Sequence, residues 1–196
     1  MRAVSILKIF EVISINKYQL SKNKNKTLDL LNNVDRPGID ALIYWLETFN
    51  FFESPASTKY HNNFEGGLNL HCLGVYDIFS KRNRKLENPV SKESEIICSI
   101  CHDLCKVDYY YHNGEEWKSK KEHPMNRLHG VLSVDILQHF IELTKEEEAI
   151  IKYHMGLFSV YGYVKEYTAE ELHDAISKYI TVQVFASCDN EEAHKK

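Results

Sequence analysis

No apolar run in the 196-residue chain approaches the ~18 residues that a bilayer-spanning helix needs. The stretch Ala3–Ile15 comes nearest, but Lys8 and Glu11 interrupt it and no small-residue cleavage site follows. It reads as an amphipathic helix and not as an export signal. An excess of positive charge is also missing: 24 Lys+Arg against 28 Asp+Glu leave a formal net charge of −4. That balance argues against a general nucleic-acid coat and against a membrane-surface binder. There is no internal repeat. Cys98 and Cys101 have a CxxC spacing, but no second CxxC or CxxH pair completes a zinc site. Five cysteines is an odd number for a disulfide framework, so they read as reduced thiols in a cytoplasm. Cys98, Cys101 and Cys105 share one helical face and are expected as small buried thiols.

What the chain does contain is a core and many histidines. Hydrophobic residues at 43% and aromatics at 12% exclude disorder over the whole length. The length fits one domain with an appendage. Residues 1–34 are read as an N-terminal helical extension and linker, with Ser21–Lys26 as a polar basic connector. Val4, Leu7, Ile9 and Val12 make a dimerisation helix one reading of the extension. From Asp35 the pattern turns helical, with Ile39, Leu42, Ile43 and Leu46 at buried-face spacing and Pro37 suited to the first turn. Gly66-Gly67 introduces a second helix whose stripe is Leu68, His71, Cys72, Val75 and Phe79. A third runs from about Ser91 to Cys105. Between Val107 and Glu122 the alternation and Asn113-Gly114 predict a hairpin with a type I′ turn. Further helices are expected over roughly Leu128–Glu142 and after the capping boxes at Thr144 and Thr168. The fold class is therefore all-α with one small β-hairpin.

Four successive helical segments offer a ligand-type residue on or beside an apolar surface. His71 lies within the stripe of the second helix, and His102-Asp103 ends a very apolar one. His154 lies one turn after Ile150, and Asp189 follows Val182, Val184, Phe185 and Ala186. A lone histidine on an apolar stripe is ordinarily a satisfied core residue, and Asp189 alone could cap the final segment. A buried carboxylate, however, costs several kcal/mol unless it is paired or bound to a cation. Histidines clustered with it are natural co-ligands of a divalent metal.

His102-Asp103, with a histidine on the preceding helix and an aspartate on a later one, resembles the HD-domain metal-dependent phosphohydrolases. The local context agrees: Arg36-Pro37-Gly38, Pro55 to His61, Glu65-Gly66-Gly67-Leu68 before His71, His102 to Lys106, His129-Gly130, and His154-Met155-Gly156. The arrangement is similar to a subfamily common in bacterial and phage genomes, and it covers roughly residues 35–190. The resemblance implies an HD-type helical bundle as a catalytic domain over 35–196, with the hairpin inserted after the His-Asp pair. It makes His71, His102, Asp103 and Asp189 the ligands of one metal. His129 and His154 match two further histidines that bind a second metal or face the substrate phosphate, and Lys106 matches a lysine near that phosphate. Two departures stand beside these positions: Leu70 where a carboxylate is frequent, and Leu128 and Val131 where a glycine and a glutamate are usual.

The chemistry implied is metal-dependent hydrolysis of a phosphate ester, with Asp103, Lys106, His129 and His154 as catalytic candidates. Their roles would be to orient water, stabilise phosphoryl oxygens and protonate the leaving group. A mixed N/O ligand set suits Mn, Fe, Co, Ni or Zn better than Mg, as one ion or two. The expected partner is a small phosphorylated substrate such as a nucleotide, whether mono- or diester. Stable nucleic-acid binding and membrane association are not expected; a homodimer is compatible. Tyr109, Tyr110, Tyr111 and Trp117 of the hairpin either stack on a base or pack as a flap. Two alternatives share the ligand set: a di-iron oxygenase, and a non-catalytic protein stabilised by its metal.

Overall fold

The computed structural model describes residues 2–126, 128–162 and 165–195, with side chains from residue 17 onward, Asn126 excepted. Among these residues, nine α-helices and one hairpin follow in order: α1 (Arg2–Leu31), α2 (Ile39–Thr48), α3 (Gly67–Asn83), α4 (Lys92–Cys101), β1 (Tyr110–His112), β2 (Trp117–Ser119), α5 (His129–Gln138), α6 (Lys145–Lys152), α7 (Phe158–Tyr161), α8 (Ala169–Lys178) and α9 (Ile180–Ala193). The all-α reading with one small hairpin is thereby met.

Helix α3 is the axis of the fold. Its predicted stripe of Leu68, His71, Cys72, Val75 and Phe79 is fully buried, and Asn69, Leu73 and Tyr76 are buried too. A helix apolar on one side alone can rest on a surface; one buried on most sides must be surrounded. Here α4 and α9 flank α3, with Phe79 meeting Phe185 of α9 edge to face at 5.0 Å. The C-terminal half of α1 covers another side. Thr27 Oγ1 donates to Asn69 Oδ1 at 2.6 Å in a buried contact, and Leu31 enters the core.

That packing changes the reading of the first segment. Ser21–Lys26 lies inside α1 and is not a connector. Lys24 and Lys26 pair with Glu47 and Asp77, so the basic run is the solvent face of a helix whose other face is buried. The dimerisation reading rests on Val4, Leu7, Ile9 and Val12, whose side chains lie outside the described residues.

Local signals set several other boundaries. Both capping boxes are formed: Thr144 accepts from the Glu147 amide and Thr168 from the Glu171 amide, with each glutamate returning to its threonine. Helix α2 begins at Ile39, so Pro37 stands in the turn before it. Gly38 in that turn has φ +92°, and a Cβ there would meet the Phe140 carbonyl oxygen at 1.9 Å. Helix α4 opens on the Ser91 cap and stops at Cys101, and α5 stops at Gln138, both short of the sequence expectation. Asp189 sits within α9 and caps nothing.

The hairpin pairs Tyr110 with Ser119, Tyr111 with Lys118 and His112 with Trp117. Its connection has four residues instead of the two of a type I′ turn. Gly114 carries positive φ, but Asn113 does not. The Asn113 side chain instead accepts from the amides of Glu115 and Glu116, an Asx-type closure that sets the longer loop.

All five cysteines are unpaired and buried. Burial pushes the Cys72, Cys98, Cys101 and Cys105 thiols far above their ordinary value, and lifts Cys188 to about 11. Since the thiolate is the reactive form, none is expected to react quickly with an aromatic disulfide reagent in the native protein. All five should react once the chain is denatured. A fast native phase would contradict this packing.

Candidate metal centre

Six residues from five parts of the chain meet around Asp103. His71 comes from the middle of α3. His102 and Asp103 follow α4, where the chain leaves the helix and tightens into a single 3-10 turn, Leu104–Lys106. His129 opens α5, His154 lies just past α6, and Asp189 projects from α9. All but Asp189 are buried, and the Asp189 side chain is only 13% exposed.

The spacing of donor atoms is that of a coordination shell. His71 Nε2 lies 2.9 Å from Asp189 Oδ1, 3.3 Å from His102 Nε2 and 3.6 Å from Asp103 Oδ2. His102 Nε2 is 3.4 Å from Asp103 Oδ2 and 3.5 Å from Asp189 Oδ1. Donors held ~2.1 Å from a shared cation stand roughly 3.0–3.4 Å apart. The donor atoms of His71, His102 and Asp103 all lie within 4.8 Å of one another, as do those of His102, His154 and Asp189.

The other oxygen of Asp103 faces a second group. His129 Nε2 is 2.7 Å and His154 Nε2 is 3.6 Å from Asp103 Oδ1. One carboxylate therefore touches both histidine sets, a placement suited to a bridging ligand. Cys105 also comes near Asp103 and His129. Burial raises its thiol well above the ordinary value.

Hydrogen bonds behind the ligands set their tautomers. His102 Nδ1 lies 2.9 Å from the Ser99 carbonyl and His154 Nδ1 lies 2.7 Å from the Ile151 carbonyl. A carbonyl only accepts, so each Nδ1 carries a hydrogen and each Nε2 is the nitrogen turned to the cluster. His154 Nε2 is buried and has no hydrogen-bond partner among the described residues. An orphaned lone pair aimed at two aspartates and a second imidazole fits a cation. It does not fit a self-contained polar core.

The electrostatics agree. Burial disfavours the charged forms of Asp103 and Asp189, yet both are held well below the usual carboxylate range. Lys106 and His102 do this for Asp103, His102 and His71 for Asp189. Burial pulls His102 down, but the two carboxylates push it up to about 10. The same competition raises Lys106, whose Nζ lies 2.7 Å from Asp103 Oδ2. A pocket that holds a proton this tightly on an imidazole is one that concentrates negative potential.

Helix packing places His129. A Cβ on Gly130 would stand 2.2 Å from the Lys152 carbonyl oxygen, so glycine lets α5 approach α6 and brings His129 to His154. The Glu166 carboxylate accepts from the Gly130 amide at 3.0 Å and from the Ser159 hydroxyl at 3.1 Å, pinning the start of α5.

The structure thus gathers every candidate: His71, His102, Asp103, Lys106, His129, His154 and Asp189. It adds His61, whose ring centroid is 4.9 Å from that of His71. Burial, then His71 and Lys106, lowers His61 to about 4, so it is neutral near pH 7. Its surroundings Tyr60-His61-Asn62-Asn63 carry no periodicity, and only its presence in the Pro55–His61 stretch marked it. Of the hairpin aromatics, Tyr109 and Tyr110 line a chamber beside the cluster. Tyr111 is exposed, and Trp117 packs on His112. Lys118 and Lys120 pair with Glu116 and Asp108, and Arg82 with Glu191.

The HD-domain family matches residues 70–190, more than half of the chain, from just before His71 to just after Asp189. The chain belongs to the HD-domain family. That family is typically one of metal-dependent phosphohydrolases, and the cluster has the residues to hold a divalent metal. No curated protein and no solved structure matches the chain. Among the described residues, no helix is long and apolar enough to cross a membrane.

Proposed function

We propose that the protein hydrolyses phosphate esters of nucleotides, using a divalent transition metal held by His71, His102, Asp103 and Asp189. The observation that carries this reading is Asp103, one carboxylate placed against both histidine sets and against Lys106. Held by these four residues, a divalent cation would acidify water near neutrality and screen charge on phosphate oxygens. The N/O donors favour Mn, Fe, Co, Ni or Zn over Mg.

The chain's own groups complete the chemistry. Lys106 presents a buried ammonium beside Asp103, where it would meet a phosphoryl oxygen as charge develops there. Burial lowers the pKa of His129, and its Nε2 lies 2.7 Å from Asp103 Oδ1. Once it has taken a proton from the attacking water, it is the imidazole placed to hand that proton to a leaving oxygen. His154 and Asp103 support a second ion if one binds. The buried, unpaired thiols fit work in a reducing cytoplasm.

The test is turnover by the purified protein loaded separately with Mn²⁺, Fe²⁺, Co²⁺, Ni²⁺ and Zn²⁺. Substrates are p-nitrophenyl phosphate, bis-p-nitrophenyl phosphate and a panel of nucleotides. Phosphate-ester cleavage abolished by a chelator and restored by metal is the expected result. Absence of turnover on all of them, or iron-dependent oxygen uptake in its place, overturns the reading.

A further inference from the structure

The two histidine sets are held by unlike parts of the fold. His71 and Asp189 project from within α3 and α9, where helical bonds on both sides fix the backbone. His129 is the first residue of α5, and His154 lies two residues past the end of α6. A helix end leaves amides and carbonyls without helical partners, so a residue there needs other bonds to keep its direction. Leu128, which precedes α5 as its cap, supplies no side-chain bond. Yet the His129 and His154 rings stand 5.0 Å apart, centroid to centroid, and both face Asp103 Oδ1.

The missing bonds come from two adjacent residues between α7 and α8. Glu166 Oε2 accepts from the Gly130 amide, next to His129, at 3.0 Å. The Tyr167 hydroxyl donates to the Gly156 carbonyl at 2.9 Å, with the Tyr153 carbonyl at 3.4 Å. Those two carbonyls bracket His154. The Tyr167 ring also packs edge-on against Tyr153 at 4.7 Å. The pair is itself anchored: the buried Ser159 of α7 donates its hydroxyl to Glu166 Oε1 at 3.1 Å, and its carbonyl accepts from the Glu166 amide at 3.0 Å. Just beyond, Thr168 closes the capping box of α8.

We infer that Glu166 and Tyr167 form a strap that sets the mutual position of His129 and His154. Both are positioning residues, acting through the backbone that carries each ring. Their effect on turnover rests on the phosphohydrolase reading; their effect on the rings rests on the geometry alone. With the strap cut, each ring takes up the play of its helix end, and a misplacement of about 1 Å can cost about 10²-fold in rate. Among the described residues no hydrogen bond joins the strap to His71, His102 or Asp189, so that set keeps its place.

The experiment records ¹H–¹³C imidazole spectra of the zinc-loaded protein, and kcat and KM on whichever ester of the panel above turns over fastest. Glu166→Ala should shift the His129 resonance and Tyr167→Phe that of His154, while His71 and His102 hold theirs. In both variants kcat should fall about 10–100-fold, with KM within threefold. Glu166→Gln should restore ring positions and most of kcat, because its amide oxygen accepts from Gly130 and its NH₂ donates to Ser159 Oγ. Thr168→Ala, which removes the neighbouring cap of α8, should leave the rings in place and kcat within twofold. Circular dichroism checks folding, and Tyr167→Phe, which keeps the ring packing, decides the case should Glu166→Ala not fold. Unmoved His129 and His154 resonances in the folded strap variants overturn the inference. So does an equal shift in Thr168→Ala, which would mark general loosening, or a change in KM alone, which would place Glu166 against substrate. No turnover by wild type overturns the phosphohydrolase reading, and the spectra then still decide the strap.

Discussion

Asp103→Asn is expected to abolish tight metal binding and to lower phosphate-ester hydrolysis by about 10³-fold or more. The reason lies in the position of this one carboxylate. Oδ2 faces His71, His102 and Lys106, and Oδ1 faces His129 and His154. An amide keeps the shape but removes the charge that draws a cation and balances the Lys106 ammonium. Lys106 then remains buried without its counter-charge, so a loss of stability should accompany the loss of activity. Two measurements separate the effects: metal content after dialysis, and activity per folded molecule below the melting transition. A folded Asp103→Asn protein that keeps its metal and its turnover would show that the cluster is not the reaction centre. Lys106→Met offers the contrast, because metal should be retained while turnover falls.

Arg36→Ala is expected to cost about 3–5 kcal/mol of stability, as removal of one partner from a buried ion pair does. Arg36 Nη1 and Nη2 reach the two Glu147 oxygens at 2.8 and 2.7 Å, and the Glu147 side chain is wholly buried. Arg36 also pairs with Glu93 of α4 at 3.3 Å and donates to the Glu142 carbonyl. One guanidinium thus joins the turn before α2 to the start of α6 and to α4. For a chain of this length the loss corresponds to roughly 6–20 °C in Tm. Arg36→Met with Glu147→Leu should recover much of it, because no buried charge is then left alone. A Tm change below 2 °C in Arg36→Ala would show that the pair contributes little.

The same pair sets part of the acid sensitivity. Burial opposes ionisation of Glu147, but Arg36, Ser94 and the Thr144 amide hold its pKa below the usual carboxylate value. A group depressed in the folded state contributes stability above its unfolded pKa, and that contribution falls away as pH drops through the folded value. Wild type should therefore lose stability below about pH 4.5, and Glu147→Gln should lose less over that interval. Urea midpoints at pH 3, 4, 5 and 7 measure the difference.

Much of this was legible in the sequence where the signal is local. The capping boxes at Thr144 and Thr168 are four-residue patterns that close on themselves. The stripe of α3 shows His71 among residues that must be buried, and the His102-Asp103 pair ends an apolar helix for the same reason. Local signals failed where a competing local bond or a distant partner decided. Asn113 closes a longer hairpin loop with its own side chain, which the Asn-Gly pair does not reveal. Ser21–Lys26 is polar because one face of α1 is wet, but packing on α3 makes it helical. His61 sits in an aperiodic loop and joins the site only through the fold.

By itself the chain's order of residues determined which groups would seek burial and which could bind a cation, because periodicity and side-chain chemistry are properties of each segment alone. Tertiary structure decided what those groups face. The arrangement of Asp103 between two histidine sets, the Arg36–Glu147 clasp and the Glu166–Tyr167 strap depend on distances between segments far apart along the chain. Those distances follow from how α3, α4, α5, α6 and α9 pack, a balance of the whole core that no single stretch encodes.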